Sequence, residues 1–420
     1  MSLTTTSPFT AADCDRNLRW FLVIRFSYDF MLWGPVWVLY MTQTLGLSFT
    51  QIMLLEMAFQ TLMILMEIPT GMFADTHGRV WALRGSAIAF ALTIGLWGTA
   101  QNAAWVMGAW FFWALAETLW NGTDAALLYE SLLAAGRESR FARTLGRIGS
   151  ITVAGAAVAA IIGGWAAQWG FRPLMWAHAV LILVGVFAAF RLREPPRADD
   201  VVPGSPRQII RGMWTLLTSS AKLRVLLLAA ATIDVVYVVV IIFQQPLMLE
   251  AGFDIAEFGP VYAVSTILAA AGPITLTWLS SRWGVPKTLL FIGASVTCLC
   301  LVTFMTPGLW IVVPLTLLRP FGHGARPVAV EGMNALVQGH GRATVLSLRG
   351  IASAALVGPT EVLTGIWADR YPIRKLFLAL TGALPPIMAT LTVIWRRSSQ
   401  DRGIAPRTNA RDTATDSQEG

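Results

Sequence analysis

The chain of 420 residues is 55% apolar and only 13% charged, with a formal charge of +7 and a mean hydropathy of +0.60. Soluble chains of this length have about a quarter of their residues charged, so the composition excludes an ordinary soluble fold and specifies a polytopic membrane protein. The surplus of Lys and Arg does not imply a nucleic-acid partner, because these residues sit in short connections between apolar runs.

Met1 to Arg19 is polar and passes straight into a long apolar run with no small-residue cleavage site, so the first span is expected to stay in the chain. Runs long enough for a hydrocarbon core of roughly 30 Å lie at 18–44, 48–73, 79–100, 104–134, 141–168 and 172–192. A second set lies at 221–249, 255–281, 285–305, 308–337, 342–369 and 373–396. The predicted organisation is all-α, with twelve transmembrane helices in two six-helix bundles at 18–192 and 221–397. Residues 1–17 form a cytoplasmic N-terminus, the Pro- and charge-rich stretch at 193–220 a cytoplasmic linker, and 398–420 a disordered tail.

"AAGRESRFARTLGR", the linker, "SSRWGVPK", "QGHGR" and the Arg pair opening the tail fall on the side of the N-terminus, while connections such as "TAQNAAW" are nearly neutral. The bias places both termini in the cytoplasm, with the bacterial inner membrane as the expected location; "DRYPIRK" is the exception. Cys14, Cys298 and Cys300 offer neither a zinc pattern nor a disulfide framework. Four scattered His without H-E-x-x-H, and no G-x-x-x-x-G-K-[ST], leave an enzyme, a bound metal, a cofactor or direct ATP drive without support. A monomer is expected.

A shift of 202 residues aligns "ALAETLWNGTDAALLYE" with "TLLRPFGHGARPVAVEG", pairing Gly122 with Gly324, Arg140 with Arg342, Arg147 with Arg349 and Gly163 with Gly365. These coincidences suit a parallel duplication about an axis along the membrane normal. Between spans 2 and 3 stands "EIPTGMFADTHGRVWAL". Gly71 would allow close helix approach, Asp75 would accept from helix-end N–H groups or pair with a cation, and Gly78 with Arg79 would make a tight, positive turn.

This stretch resembles the G-x-x-x-D-x-x-G-R loop signature of the major facilitator superfamily, at the position that family requires. The resemblance implies alternating access around a central cavity lined by spans 1, 4, 7 and 10. It further implies that Gly71, Asp75, Gly78 and Arg79 stabilise one conformer, with Arg79 paired to Glu130. The twelve-span drug/proton antiporter branch is the part of the family it looks most like. "GTDAALLYESL" is similar to a stretch found in a bacterial group of presumed efflux proteins. Thr118 and the Ala159–Ala160 pair stand where antiporters carry Arg and Gly-Pro.

Ionisable groups inside a bilayer are costly, which makes them functional candidates. Arg25 and Asp29 are four apart and can pair on one helical face. Glu117 and Asp124, seven apart, would share a face of span 4, opposite their repeat equivalents Arg319 and Arg326 on span 10. Asp29 is the first candidate for proton exchange, with Arg25 beside it, followed by Glu117, Asp124 and Asp234. Tyr28, Trp33, Trp120, Asn121, Tyr237, Arg319, His323 and Arg326 are candidate cavity contacts for a small-molecule substrate. The expected activity is proton-coupled efflux of small amphipathic organic compounds; proton-linked import of an organic anion or zwitterion is the alternative.

Overall fold

Thr10 opens the first helix: its hydroxyl accepts from the Asp13 N–H while the Asp13 carboxylate takes the Thr10 N–H, a reciprocal cap. The computed structural model describes residues 9–196, 214–215, 217–218, 220–337 and 341–400. The expected linker beyond residue 196, part of the "QGHGR" connection and the tail beyond residue 400 lie outside the described residues. Span 1 comprises Ala11–Asp29 and, after a non-helical stretch, Trp37–Leu39 running into a π-helical turn at Tyr40–Thr44. Spans 2 and 3 are Phe49–His77 and Arg79–Thr99, and span 4 is Ala103–Trp120 followed by Thr123–Ala134. Spans 5 and 6 are Phe141–Ala166 and Phe171–Phe190. The second six are Ala221–Glu250, Ile255–Trp283, Val285–Met305, Val312–Leu336, Gly341–Arg370 and Ile373–Gln400.

Two spans expected to be continuous are broken. In span 1 the interruption holds Gly34 and Pro35, whose ring removes a backbone donor. In span 4 it falls at Asn121–Gly122, where Gly122 adopts φ +78°, a conformation that side chains disfavour. Its repeat partner Gly324 lies inside an uninterrupted helix, so the duplication is not exact at this point. Among the described residues, nine helices are long and apolar enough to cross a membrane. The remaining three rods are spans 1 and 4, which are interrupted, and span 10, which carries Arg319, His323 and Arg326.

Within the first half, span 1 packs on spans 5 and 6, span 2 on span 4, and span 3 on spans 4 and 6. In the second half, span 7 packs on spans 10, 11 and 12, with spans 8 and 9 both against span 10. The result is two six-helix bundles that meet where span 2 lies along span 11 and span 5 along span 8.

Among the described residues, the hydrogen bonds joining the halves lie between mid-depth and the far end, where spans 1, 5, 7 and 11 finish. Gln245 of span 7 docks in the break of span 1, accepting from the Val38 N–H at 2.9 Å and donating to the Gly34 carbonyl at 3.1 Å. The Asp369 carboxylate, at the end of span 11, accepts from the N–H groups of Phe49 and Thr50 at 2.8 and 3.0 Å and from the Thr50 hydroxyl at 2.6 Å. An anion of one half thus sits on the helix N-terminus of the other. Nearer mid-depth, the Gln60 amide donates to both oxygens of Glu361 at 2.9 and 3.1 Å. Spans 5 and 8 touch backbone to backbone: a Cβ added at Gly164 would collide with the Gly259 N–H group, and one at Gly259 would lie 2.5 Å from the Ala160 carbonyl oxygen.

Candidate functional site

Span 1 carries the first charged pair at the point where its helix stops. Arg25 Nε meets Asp29 Oδ2 at 2.7 Å, and both side chains keep part of their surface exposed. The guanidinium lies 5.5 Å from the centre of the Trp120 ring, a cation–π contact that offsets part of the cost of an arginine at this depth. Span 4 supplies the other two carboxylates, each held by an indole one turn earlier: Trp113 donates to Glu117 at 3.2 Å and Trp120 to Asp124 at 3.1 Å. Glu117 is within electrostatic reach of Arg25 and Asp29, and Asp124 of Asp29. The sequence expected the two span-4 acids on one continuous helix; the break at Asn121–Gly122 lies between them.

The break in span 1 frees backbone carbonyls that need partners in a bilayer. His178 of span 6, fully buried, provides one: its Nε2 donates to the Ser27 carbonyl at 3.2 Å, while Nδ1 accepts from the Trp33 indole at 2.8 Å. An indole N–H only donates, so Nδ1 must be unprotonated and the proton sits on Nε2. Gly163 of span 5 makes room for the Leu32 carbonyl, which any side chain there would strike. The sequence reading missed His178; its only signal was one His within an apolar run. Trp33→Phe is expected to weaken the peg by about 1–2 kcal/mol, leaving a buried acceptor without its donor, to be read as a lower unfolding temperature in detergent than for the parent.

Tyr28, Trp33 and Trp120, expected to face a substrate, are buried in this conformer; Tyr28 stacks on Phe90 with ring centres 3.8 Å apart. Asn121 is exposed at the span-4 break. In the second half, Asp234 of span 7 is paired with Arg349 of span 11 at 2.7 Å and accepts from the Ser353 hydroxyl at 2.7 Å. Arg349, noted in the sequence only as a repeat match, is therefore part of the charged set. Arg319 is buried and both Nε and Nη2 bond Gln244 Oε1, at 3.3 and 2.9 Å, within its own half. Tyr237, half-buried, shares a hydrogen bond with His323. His323 and Arg326 are exposed. Among the described residues neither Glu117 nor Asp124 forms an ion pair with Arg319 or Arg326: the bridge across the two halves is not made here.

The loop motif lies at the end where span 1 begins. Arg79 pairs with Asp75 at 2.6 Å, and its Nε is 3.6 Å from Glu130 of span 4, the partner the family resemblance implied. The first-turn N–H groups of span 3 are not taken by Asp75. Glu194, just past span 6, accepts from Arg79 N–H at 2.6 Å and Val80 N–H at 2.8 Å. A side chain at Gly78, where φ is +110°, would collide with that carboxylate. Gly71, by contrast, faces open space: nothing lies within 4 Å of where a side chain would begin. Beside the motif, Arg193 bonds Asp13 at 2.8 Å and, with the Thr10 hydroxyl and N–H, holds that carboxyl down at about 2 from the usual 3.8. Glu194→Ala is expected to lower stability by about 1 kcal/mol, the worth of an anion at a helix N-terminus, while Asp75→Ala leaves this cap in place; detergent melting of the two variants compares them.

Two six-helix bundles with charged groups at the breaks of spans 1 and 4 define a twelve-span membrane transporter. Residues 20–359 match the model of the Major Facilitator Superfamily, and the chain belongs to that family. A curated relative is the uncharacterized MFS-type transporter YxaM of Bacillus subtilis (strain 168), 19% identical over 244 residues, which make up 57% of this chain and 60% of the relative. Among solved structures, the nucleoside transporter NupG superposes with a TM-score of 0.76 at 14% identity, covering 90% of this chain and all of that one. A bacterial homolog of the human lysosomal transporter Spinster, inward-facing and unoccupied, matches with a TM-score of 0.65 at 19% identity over 94% of this chain and 96% of that one.

Proposed function

We propose that the protein is a secondary active transporter that works by alternating access and couples efflux of small amphipathic organic compounds to the movement of protons. The observation that carries this reading is the Arg25–Asp29 pair at the end of a broken helix, with Glu117 and Asp124 in electrostatic reach. A proton on Asp29 would release Arg25 toward Glu117, so protonation and the arrangement of spans 1 and 4 would be linked. With the termini in the cytoplasm, halves whose hydrogen bonds among the described residues lie between mid-depth and the far end correspond to the inward-facing state, ready to take compounds from the cytoplasm. Half-buried Trp113, beside Glu117, gives the site an aromatic surface that suits amphipathic or cationic compounds.

Import of an organic anion is the second reading. It is favoured by Arg326, exposed on span 10 with no carboxylate in ion-pair reach among the described residues, and by exposed His323 nearby. Reconstitution in liposomes separates the two. An imposed proton gradient, inside acidic, should drive a cationic dye into vesicles holding protein with its cytoplasmic face outward. Accumulation of an organic anion with, not against, the proton flow would establish the alternative. Dye flux unaffected by the gradient would sink proton coupling.

A further inference from the structure

On the second half, spans 7, 9 and 12 line a narrow cleft that is open on one side. Its walls are apolar: Val225 and Ala229 of span 7, Pro286 and Leu289 of span 9, Leu391 and Trp395 of span 12. The cleft lies at the end of the bundle where spans 7 and 9 begin and span 12 finishes, the same end as the loop motif. Cations collect there. Lys222, in the first turn of span 7, places its Nζ 5.4 Å from the centre of the Trp395 ring. Lys287 follows the wall residue Pro286, and Arg396 follows the wall residue Trp395; both are exposed. None of the three has a carboxylate in ion-pair reach among the described residues, and residues 221–233, 278–305 and 373–400 contain no Asp or Glu at all. The first turn of span 9 adds N–H groups and the positive end of its helix dipole to the same rim.

We propose that this cleft is a binding site for one acidic phospholipid, its phosphate held at the rim by Lys222, Lys287 and Arg396 and an acyl chain lying along the apolar walls. Charge complementarity selects this occupant. A zwitterionic lipid would fill the cleft, but its own ammonium cancels its phosphate and leaves the three cations without net counter-charge, whereas each of them favours a headgroup of net negative charge. Trp395, with an apolar body and a polar N–H, is the type of side chain that sits at the depth where headgroup meets chain. The ammonium of Lys222 over its ring keeps the cation at that depth.

The test uses the full chain purified in neutral detergent and native mass spectrometry with phosphatidylglycerol, phosphatidylcholine or inorganic phosphate added. The parent should retain one phosphatidylglycerol and no phosphatidylcholine under the same conditions. Lys222→Gln, Lys287→Gln and Arg396→Gln should each lower the retained fraction about fivefold, the worth of one cation toward an anionic surface. Arg282→Gln, whose guanidinium lies on Trp278 away from the cleft, should change nothing. Ala229→Leu, which narrows the cleft without altering charge, should also lower retention. Equal retention of the two lipids, or retention unchanged in both the Lys222 and Ala229 variants, would overturn the proposal. Displacement of the lipid by millimolar phosphate would overturn it as well, by showing a site for a free anion. Unfolding temperatures without added lipid, equal to the parent's, confirm that the variants fold.

Discussion

Gly259→Ala and Gly164→Ala are expected to abolish transport while leaving each six-helix bundle folded. These two residues let spans 5 and 8 approach backbone to backbone, and a methyl at position 259 would lie 2.5 Å from the Ala160 carbonyl oxygen, where about 3.4 Å or more is ordinary contact. Neither atom is the end of a flexible side chain, so the helices must separate. Overpacking of this kind costs about 1–3 kcal/mol. Here the cost falls only on the conformer in which the far end is closed, so it moves the equilibrium between access states roughly ten- to a hundredfold toward the open one. The measurement is the distance between spin labels at Gln43 and Tyr371, both exposed at the far end of opposite halves. The parent should show a short distance and the variants a long one. A short distance retained in Gly259→Ala would remove the role given to this contact. Gly155→Ala, whose methyl would first meet the Phe26 ring of the same half at 2.5 Å, serves as a control of packing without the switch.

Asp29→Asn is expected to uncouple transport from the proton gradient. The substitution keeps the size and one acceptor oxygen but removes the charge that holds Arg25 at 2.7 Å. Arg25 keeps the Trp120 ring and has Glu117 in reach, so its cation is not stranded and the bundle should assemble. Exchange of labelled for unlabelled substrate across the membrane should persist, whereas accumulation driven by a pH gradient should fall to the level seen without one. Glu117→Gln removes the second resting place of the guanidinium and should slow exchange as well as accumulation. Gradient-driven accumulation surviving in Asp29→Asn at the parent level would reassign the proton to another carboxylate. Glu361 would be next to examine, since it is buried at the seam with the neutral Gln60 amide as its hydrogen-bond partner.

The number of spans and the division into two sets of six could be read from the apolar runs, because a bilayer imposes length and polarity on every crossing segment; the helices of spans 1 and 2 run beyond the apolar runs, starting at Ala11 and ending at His77. The Arg25–Asp29 and Arg79–Glu130 pairs were also legible, one from helical spacing and one from a loop signature. The breaks were not taken from the sequence although "WGPVW" and "WNGTD" carried the signal, Gly-Pro in one and Asn-Gly in the other. Span 4 was read as one unbroken helix through Glu117 and Asp124, whereas it is interrupted at Asn121–Gly122 between them. Arg319 was assigned to the facing half on symmetry, yet Gln244 of its own half is nearer and satisfies two of its nitrogens. His178, Glu194 and Gln245 escaped notice for one reason. Each acts on a backbone group of a distant segment, and a sequence does not display which carbonyl or N–H will be left over until the chain has folded.

The three rods that fall short of an autonomous crossing helix have a consequence for how the chain is made. An arginine at the centre of a span adds about 2.5–3.5 kcal/mol to insertion, so span 10 with Arg319 and Arg326 should not leave the translocon for lipid by itself. Span 7 is the most hydrophobic of the candidate spans and can enter early despite Asp234. It carries Gln244 and Tyr237, the groups that receive Arg319 and His323. Synthesis order therefore delivers the receptors before the charges, and span 10 is expected to be retained at the exit until span 7 takes it up.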